Sequence, residues 1–405
     1  MPAASPSASA DQIVERDHAY VVRNYGRYPL VVSRGEGVRL VGADGRKYLD
    51  FMSGIGVMAL GHSHPAVIAV IRDQLGTLMH CSNLYYHSLQ GEVAEQLAAL
   101  SGLQRAFFCN SGAEAVEAAL KIAKGRGRAI DQAKTEIVAL ENSFGGRTLG
   151  AIAVTGQAKY REPFEPLIPG VRFVPPNDVA ALEAAVGERT AGIIFEPILG
   201  EGGIIEVSEE FARAARKLAS ESEALLICDE IQCGLGRTGE RFAYHHWGAD
   251  YLPDVVTVAK PMGAGLPIGA VICSESASRA LGPGMHGSTF GGGALACRVA
   301  REFLGMLPDL IPRVKQVSAY FRGRLLELAA RHGFVSGLRG RGLMVGVELT
   351  VPGGGFVPMA QEAGLLINCT AGNVLRMLPP FIITREHADE AVGILDSIFQ
   401  NGVPE

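Results

Sequence analysis

The chain has 405 residues, 48% of them hydrophobic and 20% charged, with a formal net charge of −5 at pH 7. This length predicts two or three domains, because one domain usually takes roughly 100–200 residues. The slight acidic excess argues against a nucleic-acid-binding protein, which would carry a basic surface.

The cysteine and histidine patterns argue against a metal centre. The seven cysteines are scattered singly, without a Cys-x-x-Cys pair, and their number is odd. Neither a zinc site nor a disulfide framework has this pattern. The histidine groups at 62–64 and 245–246 lack ligand partners at the spacing of a metal site. We therefore expect free thiols, no metal and a reducing, cytoplasmic location.

The N-terminal region carries no targeting signal that the sequence reveals. The first ten residues, MPAASPSASA, lack the basic start and apolar centre of a signal peptide, and we expect a flexible tail over residues 1–20. Residues 51–71 contain no Asp, Glu, Lys or Arg, a length at which a membrane span must be considered. That stretch includes GHSHP and several glycines and serines, which a spanning helix does not favour. We expect no membrane association.

The segments that follow predict a mixed α/β fold. Residues 37–51 predict a hairpin that turns at Asp44-Gly45, and residues 64–80 and 88–102 have helical periodicity. After about residue 105, short apolar runs alternate with helical or glycine-rich segments. Continuous Val/Ile/Leu runs between helices are typical of a mostly parallel sheet covered by helices on both faces. The runs are RAFFCN, EIVALE, VRFVP, AGIIFEP, ALLICDE, VVTVAK and IGAVICS.

The C-terminal part has a different pattern. Beyond about residue 305 a long helix is followed by a strand, further short strands and a final helix. This order predicts a smaller α+β domain, which the N-terminal hairpin joins. After the tail, we therefore expect an N-terminal segment of the small domain at 21–62, a large domain at 63–305 and the C-terminal small domain at 306–405.

Three of the apolar runs end on a chemically reactive side chain, namely Glu196, Asp229 and Lys260. Ligands of open α/β sheets bind outside the carboxyl ends of the strands, where these three groups would meet. A lysine and a carboxylate in one cleft suit a pyridine-aldehyde cofactor, because the lysine forms an imine and the carboxylate keeps the ring nitrogen protonated. The alternative for Lys260 is a surface lysine at a strand exit, since most lysines are exposed.

The segment CNSGAEA predicts a phosphate site. It follows the run RAFF and places Ser111, Gly112 and Ala113 in the first turn of an alanine-rich helix, where free N–H groups bind anions. A plain N-cap serine is the alternative. Ser288 and Thr289, in the segment HGSTFGGG, offer hydroxyl groups to the same phosphate.

A competing motif, GLGRTG at 234–239, matches the GxGxxG pattern of dinucleotide-binding proteins. That pattern is specific only where it directly follows a strand and opens a helix. Here the residues EIQC intervene after the strand, and ERFAYHHWG follows without helical periodicity. We therefore expect no nicotinamide dinucleotide site.

Taken in order, these motifs resemble those of the class III, fold type I, pyridoxal-phosphate-dependent aminotransferases. The resemblance extends from NYGRYP at 24–29 to NVLRMLPP at 373–380. It implies the fold of that group, pyridoxal 5'-phosphate bound by the large domain, and a homodimer with its active site at the subunit interface. Lys260 would be the catalytic Schiff-base residue, and Asp229 the catalytic partner of the pyridine nitrogen.

The resemblance also implies the other contacts of the site. Arg147 would hold a substrate carboxylate, while Glu201 would pair with Arg376 until a second carboxylate arrives. The implied cofactor contacts are Ser111, Gly112, Ala113, Phe144, Asp229, Gln232, Lys260 and, from the neighbouring subunit, Thr289. The implied substrate contacts are Tyr25, Arg147, Glu201, Ser288 and Arg376.

The resemblance implies transfer of the terminal amine of N-acetylornithine to 2-oxoglutarate, which gives N-acetylglutamate 5-semialdehyde and glutamate in arginine synthesis. Ornithine, succinylornithine, 4-aminobutyrate and a carrier-protein-linked lysine or ornithine precursor remain alternative donors. From a different class, a non-catalytic binding protein of the same fold is the alternative. Departures from the pattern at Met58, Gly145 and Gly293-Ala294 loosen the assignment of the donor.

Overall fold

The computed structural model describes residues 9–403. The α-helices are α1 (Ala10–Tyr20), α2 (Ser53–Gly56), α3 (Pro65–Leu75), α4 (Ser88–Ser101), α5 (Gly112–Ile130), α6 (Leu149–Ala153), α7 (Ala158–Arg161), α8 (Val179–Ala185), α9 (Glu209–Glu221), α10 (Glu275–Ser278), α11 (Ala294–Ala329), α12 (Phe356–Glu362) and α13 (Arg385–Gln400). Short 3-10 helices span Glu162–Phe164, Ala243–Trp247 and Lys260–Gly263.

The strands are β1 (Val32–Glu36), β2 (Arg39–Gly42), β3 (Lys47–Asp50), β4 (Arg105–Cys109), β5 (Glu136–Leu140), β6 (Val171–Val174), β7 (Thr190–Phe195), β8 (Ile198–Leu199), β9 (Ile205–Glu206), β10 (Leu225–Asp229), β11 (Val255–Val258), β12 (Gly269–Cys273), β13 (Val335–Arg339), β14 (Val345–Leu349), β15 (Leu365–Leu366), β16 (Asn368–Thr370) and β17 (Val374–Met377).

A seven-stranded sheet forms the centre of the molecule, in the order β4-β12-β11-β10-β7-β5-β6. Its strands are the seven apolar runs that the sequence singles out. Strand β12 is antiparallel to both of its neighbours, and the remaining pairs are parallel. The predicted α/β fold with a mostly parallel sheet is therefore confirmed.

Helices cover both faces of this sheet. Successive side chains of a strand point to opposite faces, so Ile193 and Phe195 join one apolar core while Ile194 joins the other. Helices α4 and α9 pack on the first face, and α5 packs on the second. Every residue of β7 and β10 is buried, which explains why these strands read as uninterrupted apolar runs.

The smaller sheets connect the two ends of the chain. The predicted hairpin is present as β2 and β3, which pair antiparallel. Strand β15, from the C-terminal part, adds to β3 in parallel. A second four-stranded sheet has the order β13-β14-β17-β16. Helix α11 runs through residue 305, where the sequence places a domain boundary, and the domain division stays a prediction.

Helix α1 lies in the segment for which the sequence predicts a flexible tail. It begins with a reciprocal pair in which Gln12 N–H donates to Ser9 Oγ (3.2 Å) and Ser9 N–H donates to Gln12 Oε1 (3.0 Å). Such a pair satisfies N–H groups that a helix end leaves open. Residues 10–20 are thus helical, residues 1–8 lie outside the described part, and the flexibility of the tail stays a prediction.

The structure also bears on the charge-free stretch and on the cysteines. The charge-free stretch over 51–71 is divided between α2, a loop and the first turns of α3. Among residues 9–403, no helix is both long and apolar enough to cross a membrane. All seven cysteines are free thiols, and five of them are buried.

Candidate active site

A cavity of about 220 Å³ lies beyond the carboxyl ends of β7, β10 and β11. Cys228 pairs in register with Phe195, and Asp229 pairs with Thr257. The residues at these strand ends therefore reach one edge of the sheet, as the sequence predicted. Glu196, Asp229 and Lys260 all line the cavity.

Asp229 is buried, with one oxygen held and the other left open. Its Oδ1 accepts hydrogen bonds from the Ile231 N–H (3.1 Å) and the Thr257 hydroxyl (2.9 Å). Among the described residues, Oδ2 has no hydrogen-bond donor. Burial raises the pKa of this carboxyl to about 6, although both hydrogen bonds and Lys260 oppose the rise. A cation beside Oδ2 would keep Asp229 ionised at neutral pH.

Lys260 begins the 3-10 helix after β11 and is partly buried. Within residues 9–403 its ammonium forms no ion pair. Burial lowers the pKa of Lys260, the Arg376 guanidinium adds to that effect, and the carboxylates of Glu201, Glu196 and Asp229 oppose it. Lys260 is thus an amine that loses its proton more readily than an exposed lysine. The alternative of a surface lysine at a strand exit is wrong.

Glu196 is the acid that the sequence placed at a strand end without giving it a role. Its Oε1 accepts the Phe144 N–H (2.9 Å), and its Oε2 accepts the Gly200 N–H (3.1 Å). Burial raises the pKa of Glu196 to about 8, and the nearby Asp229 carboxylate adds to the rise. The backbone hydrogen bonds and Lys260 oppose it.

The N-terminus of α5 faces the same cavity. Ser111 is the N-cap, and its Oγ accepts the Glu114 N–H at 3.2 Å. Gly112 and Ala113 line the cavity, at positions whose N–H groups have no acceptor inside a helix. A Cβ on Gly112 would lie 2.8 Å from Ile231 Cδ1, so only glycine lets the backbone come this close. The structure therefore has both the cap and the anion-binding geometry that the sequence left as alternatives.

Arg147 is held by aromatic rings. Its guanidinium carbon lies 4.2 Å from the Tyr160 ring centre and 5.4 Å from that of Phe144. The two rings meet edge to face at 6.1 Å. Among residues 9–403 this exposed arginine has no carboxylate partner, so it can bind an incoming carboxylate in two-point fashion. The sequence analysis did not identify Tyr160, which lies further along the chain than Arg147, in the segment KYREPF.

Arg376, unlike Arg147, is buried and paired with a carboxylate. It is 1% exposed, and its Nη1 contacts Glu201 Oε1 at 2.6 Å and the Gly200 carbonyl oxygen at 3.1 Å. Burial raises the pKa of Glu201, but Arg376 and Lys260 hold that pKa below its usual value. Gln232 Oε1 lies 3.5 Å from the same Nη1. The ion pair between Glu201 and Arg376 that the sequence implied is therefore present.

Six of the predicted residues are not among those that line this cavity, namely Tyr25, Ser111, Glu201, Ser288, Thr289 and Arg376. Tyr25 is 70% exposed and Thr289 is exposed. Ser288 Oγ accepts the Asn110 amide N–H at 3.1 Å, beside the start of α5. Arg376 influences Tyr28, three residues after Tyr25: burial and Cys369 raise the pKa of Tyr28, while the Arg376 guanidinium opposes the rise.

Two other sequence features have clear structural explanations. A Cβ on Gly145 would lie 2.7 Å from the carbonyl oxygen of Ala151, so no larger residue fits this loop as it stands. The GLGRTG segment consists of turns, and the next element is the 3-10 helix Ala243–Trp247. A dinucleotide fingerprint must open an α-helix, and this segment does not.

Among residues 9–403 no three His, Cys, Asp or Glu side chains are grouped to hold a metal.

Comparison with known proteins assigns the family. The family model for class-III aminotransferases matches residues 20–399. An acetylornithine aminotransferase of Methanocaldococcus jannaschii is 44% identical over 394 residues, which cover 96% of this chain and 98% of that protein. The crystal structure of ornithine aminotransferase from Toxoplasma gondii superposes with a TM-score of 0.92 at 33% identity, covering 98% of this chain and 96% of that chain. An acetylornithine aminotransferase structure from Elizabethkingia anophelis gives 0.86 at 30% identity, covering 98% and 100%.

The fold and the lysine–aspartate cavity define a transferase that works through pyridoxal 5'-phosphate. The chain belongs to the class-III aminotransferase family. The residues present fit this cofactor. Asp229 Oδ2 is open for a protonated ring nitrogen, Lys260 is an unpaired amine for the aldehyde, and the start of α5 offers N–H groups to a phosphate. The Gly112 backbone leaves the space that a Cβ would fill.

Proposed function

We propose that this aminotransferase moves the terminal amine of N-acetylornithine to 2-oxoglutarate, producing N-acetylglutamate 5-semialdehyde and glutamate. The observation that carries the proposal is the contrast between two arginines. Arg147 is free of carboxylates among the described residues, and Arg376 is neutralised by Glu201 at 2.6 Å. One open and one closed guanidinium suit a donor with a single carboxylate and an acceptor with two.

The donor would use the open arginine. N-acetylornithine has its carboxylate and its reacting amine at opposite ends, and its acylated α-nitrogen carries no charge. Arg147 would bind the carboxylate, which leaves the amine directed at Lys260. With Glu201 in place, Arg376 presents no net charge to the uncharged parts of this donor.

The acceptor would use both arginines. 2-Oxoglutarate has a carboxylate at each end, so its second carboxylate would displace Glu201 from Arg376. Glu201 contacts Arg376 through Nη1 alone, and the same N–H group can bind an incoming carboxylate. The exchange therefore needs only a side-chain movement of Glu201, which is a flexible residue with three rotatable bonds.

The catalytic groups would divide the proton chemistry. Pyridoxal phosphate supplies the electron sink that stabilises the deprotonated substrate carbon. Asp229 would hold the ring nitrogen protonated, and Lys260 would carry the proton between substrate and cofactor carbons as general base and acid. Phe144 would cover the ring, and Gly112, with Ala113, would hold its phosphate.

Steady-state rates with a panel of amines test the proposal. The purified enzyme is assayed for glutamate formation from 2-oxoglutarate with N-acetylornithine, ornithine, N-succinylornithine and 4-aminobutyrate. We expect the largest kcat/KM for N-acetylornithine. A larger value for ornithine would overturn the proposal in favour of the activity named for the Toxoplasma relative.

We further propose that the enzyme is a homodimer with its active site at the subunit interface. We also propose that it is cytoplasmic and that each chain has the domains predicted from the sequence. Exposed apolar residues support the dimer: Leu84 is 84%, Phe290 68% and Met79 57% exposed in the single chain. Thr289, beside Phe290, would reach the phosphate held by the partner subunit. Thr289→Ala should then weaken cofactor retention about tenfold while the dimer persists in sedimentation, because one hydrogen bond to a charged group is lost. A fully active monomer would contradict this arrangement.

A further inference from the structure

Glu196 lies between the two segments that carry the substrate-binding charges. Its Oε1 accepts the N–H of Phe144, three residues before Arg147. Its Oε2 accepts the N–H of Gly200, whose own carbonyl oxygen accepts Nη1 of Arg376 at 3.1 Å. A single buried carboxylate is thus connected to both arginines through backbone groups.

A second carboxylate in the fold provides a comparison. Glu230 is also buried, and its two oxygens also accept one backbone N–H each, from Ala243 and Tyr244 at 2.9 Å. Those two residues belong to the 3-10 helix Ala243–Trp247, which carries no substrate-binding group. Both glutamates thus accept two backbone N–H groups, and Glu230 Oε2 also accepts the Cys233 thiol at 3.5 Å.

We propose that Glu196 is a positioning residue that sets the spacing between Arg147 and Arg376, and thereby the length of dicarboxylate that the site accepts. The proposal rests on the proposed function in one respect, namely that both arginines bind the acceptor. A dicarboxylate of fixed length gains from both guanidiniums only when their spacing matches it. Releasing either segment from Glu196 therefore weakens the matched acid most.

Substitution of Glu196 by glutamine keeps the size of the side chain and removes part of its capacity to accept hydrogen bonds. An amide keeps the size of the carboxylate, but its NH2 group cannot accept a hydrogen bond. In Glu196→Gln one of the two N–H groups, that of Phe144 or that of Gly200, must lose its acceptor. In Glu230→Gln the same loss occurs at the 3-10 helix, so this variant is the matched control for lost stability.

The experiment measures the binding of succinate, glutarate and adipate to the cofactor-loaded enzyme by titration calorimetry. In the wild type we expect glutarate, which has the length of 2-oxoglutarate, to bind best. In Glu196→Gln we expect glutarate to weaken about tenfold, and its preference over the shorter and longer acids to fall to about threefold or less. Glu230→Gln should lower the melting temperature comparably but keep the wild-type preference.

Several results would overturn the proposal. One is a preference for glutarate that is unchanged in Glu196→Gln. The other is an equal loss of that preference in Glu230→Gln, because such a loss would indicate a general disordering of the fold. If Glu196→Gln does not fold, wild-type hydrogen exchange decides: glutarate must protect the peptides over 142–148 and 197–203 together, and independent protection refutes the link. These acids do not react, so failure of N-acetylornithine as a donor would leave this result standing.

Discussion

The floor of the cavity and its rim differ in how the fold holds them. We call Glu196, Asp229 and Lys260 the floor, and Arg147 the rim. The floor residues follow or end strands β7, β10 and β11, all of whose residues are buried. Arg147 lies on a loop and is exposed. The sheet therefore fixes the floor, while the rim depends on aromatic contacts.

The difference extends to electrostatics. On the floor, burial raises the pKa of Glu196 and Asp229 and lowers that of Lys260. All three shifts disfavour charge, as expected where water is excluded. At the rim Arg147 remains a charged guanidinium against aromatic faces. Substitutions in the floor should therefore reduce the rate of reaction, and substitutions at the rim should mainly change binding.

The largest effect is expected at Lys260. Lys260→Ala removes the proposed general base, and we expect kcat to fall about 10⁴-fold or more in both half-reactions, with the amine donor and with 2-oxoglutarate. The cofactor should still bind through the start of α5 but should no longer be fixed to the protein by borohydride. Reduction by borohydride followed by peptide mass spectrometry measures this.

Lys134 offers the matched control. Burial lowers the pKa of this lysine too, and its Nζ donates to the carbonyl oxygens of Glu188 and Ser222. Lys134→Met should lower the melting temperature and leave kcat within about threefold of wild type. A borohydride adduct that persists in Lys260→Ala would show that another lysine carries the cofactor.

The next largest effect is expected at Asp229. Asp229→Asn keeps the size of the side chain and the hydrogen bond from Thr257 but removes the charge that would hold the ring nitrogen protonated. We expect a loss of about 10³-fold in kcat, with substrate dissociation constants within a few-fold of wild type. Pre-steady-state kinetics separates the two quantities. Turnover close to that of wild type would refute the role of Asp229 and, with it, the idea that the floor controls the rate.

The floor could be predicted from sequence because its residues are tied to a repeated local pattern. A buried parallel strand must expose whatever follows its last apolar residue at the carboxyl edge, so Asp229 and Lys260 were placed together from position alone. The hydrogen bond from Thr257 to Asp229 could not be predicted, since it depends on the register between β10 and β11. The Tyr160 contact likewise depends on how the loop after β5 folds back.

Arg376 is buried like the strands that carry the floor, but in the proposed function it binds a carboxylate as Arg147 does. Arg376→Ala removes the second carboxylate site, and we expect the half-reaction with 2-oxoglutarate to lose about 100-fold in kcat/KM. The half-reaction with the amine donor should change less than about fivefold, because Arg147 binds its carboxylate. Single-turnover measurements on each half-reaction test this, and equal losses in both would make Arg376 a purely structural residue.

The smallest effect is expected at Tyr160, and it tests whether the rim needs its aromatic support. Tyr160→Leu removes the ring 4.2 Å from the Arg147 guanidinium, and the freed side chain then samples more conformations before it meets a carboxylate. A cation–π contact at an exposed site contributes about 0.5–1 kcal/mol, so both substrates should bind about two- to fivefold more weakly with kcat unchanged. Tyr160→Phe keeps the ring and should match the wild type, which separates the aromatic face from the hydroxyl. If the leucine variant lost kcat and kept its KM values, Tyr160 would serve the floor, and the division between floor and rim would not hold at this residue.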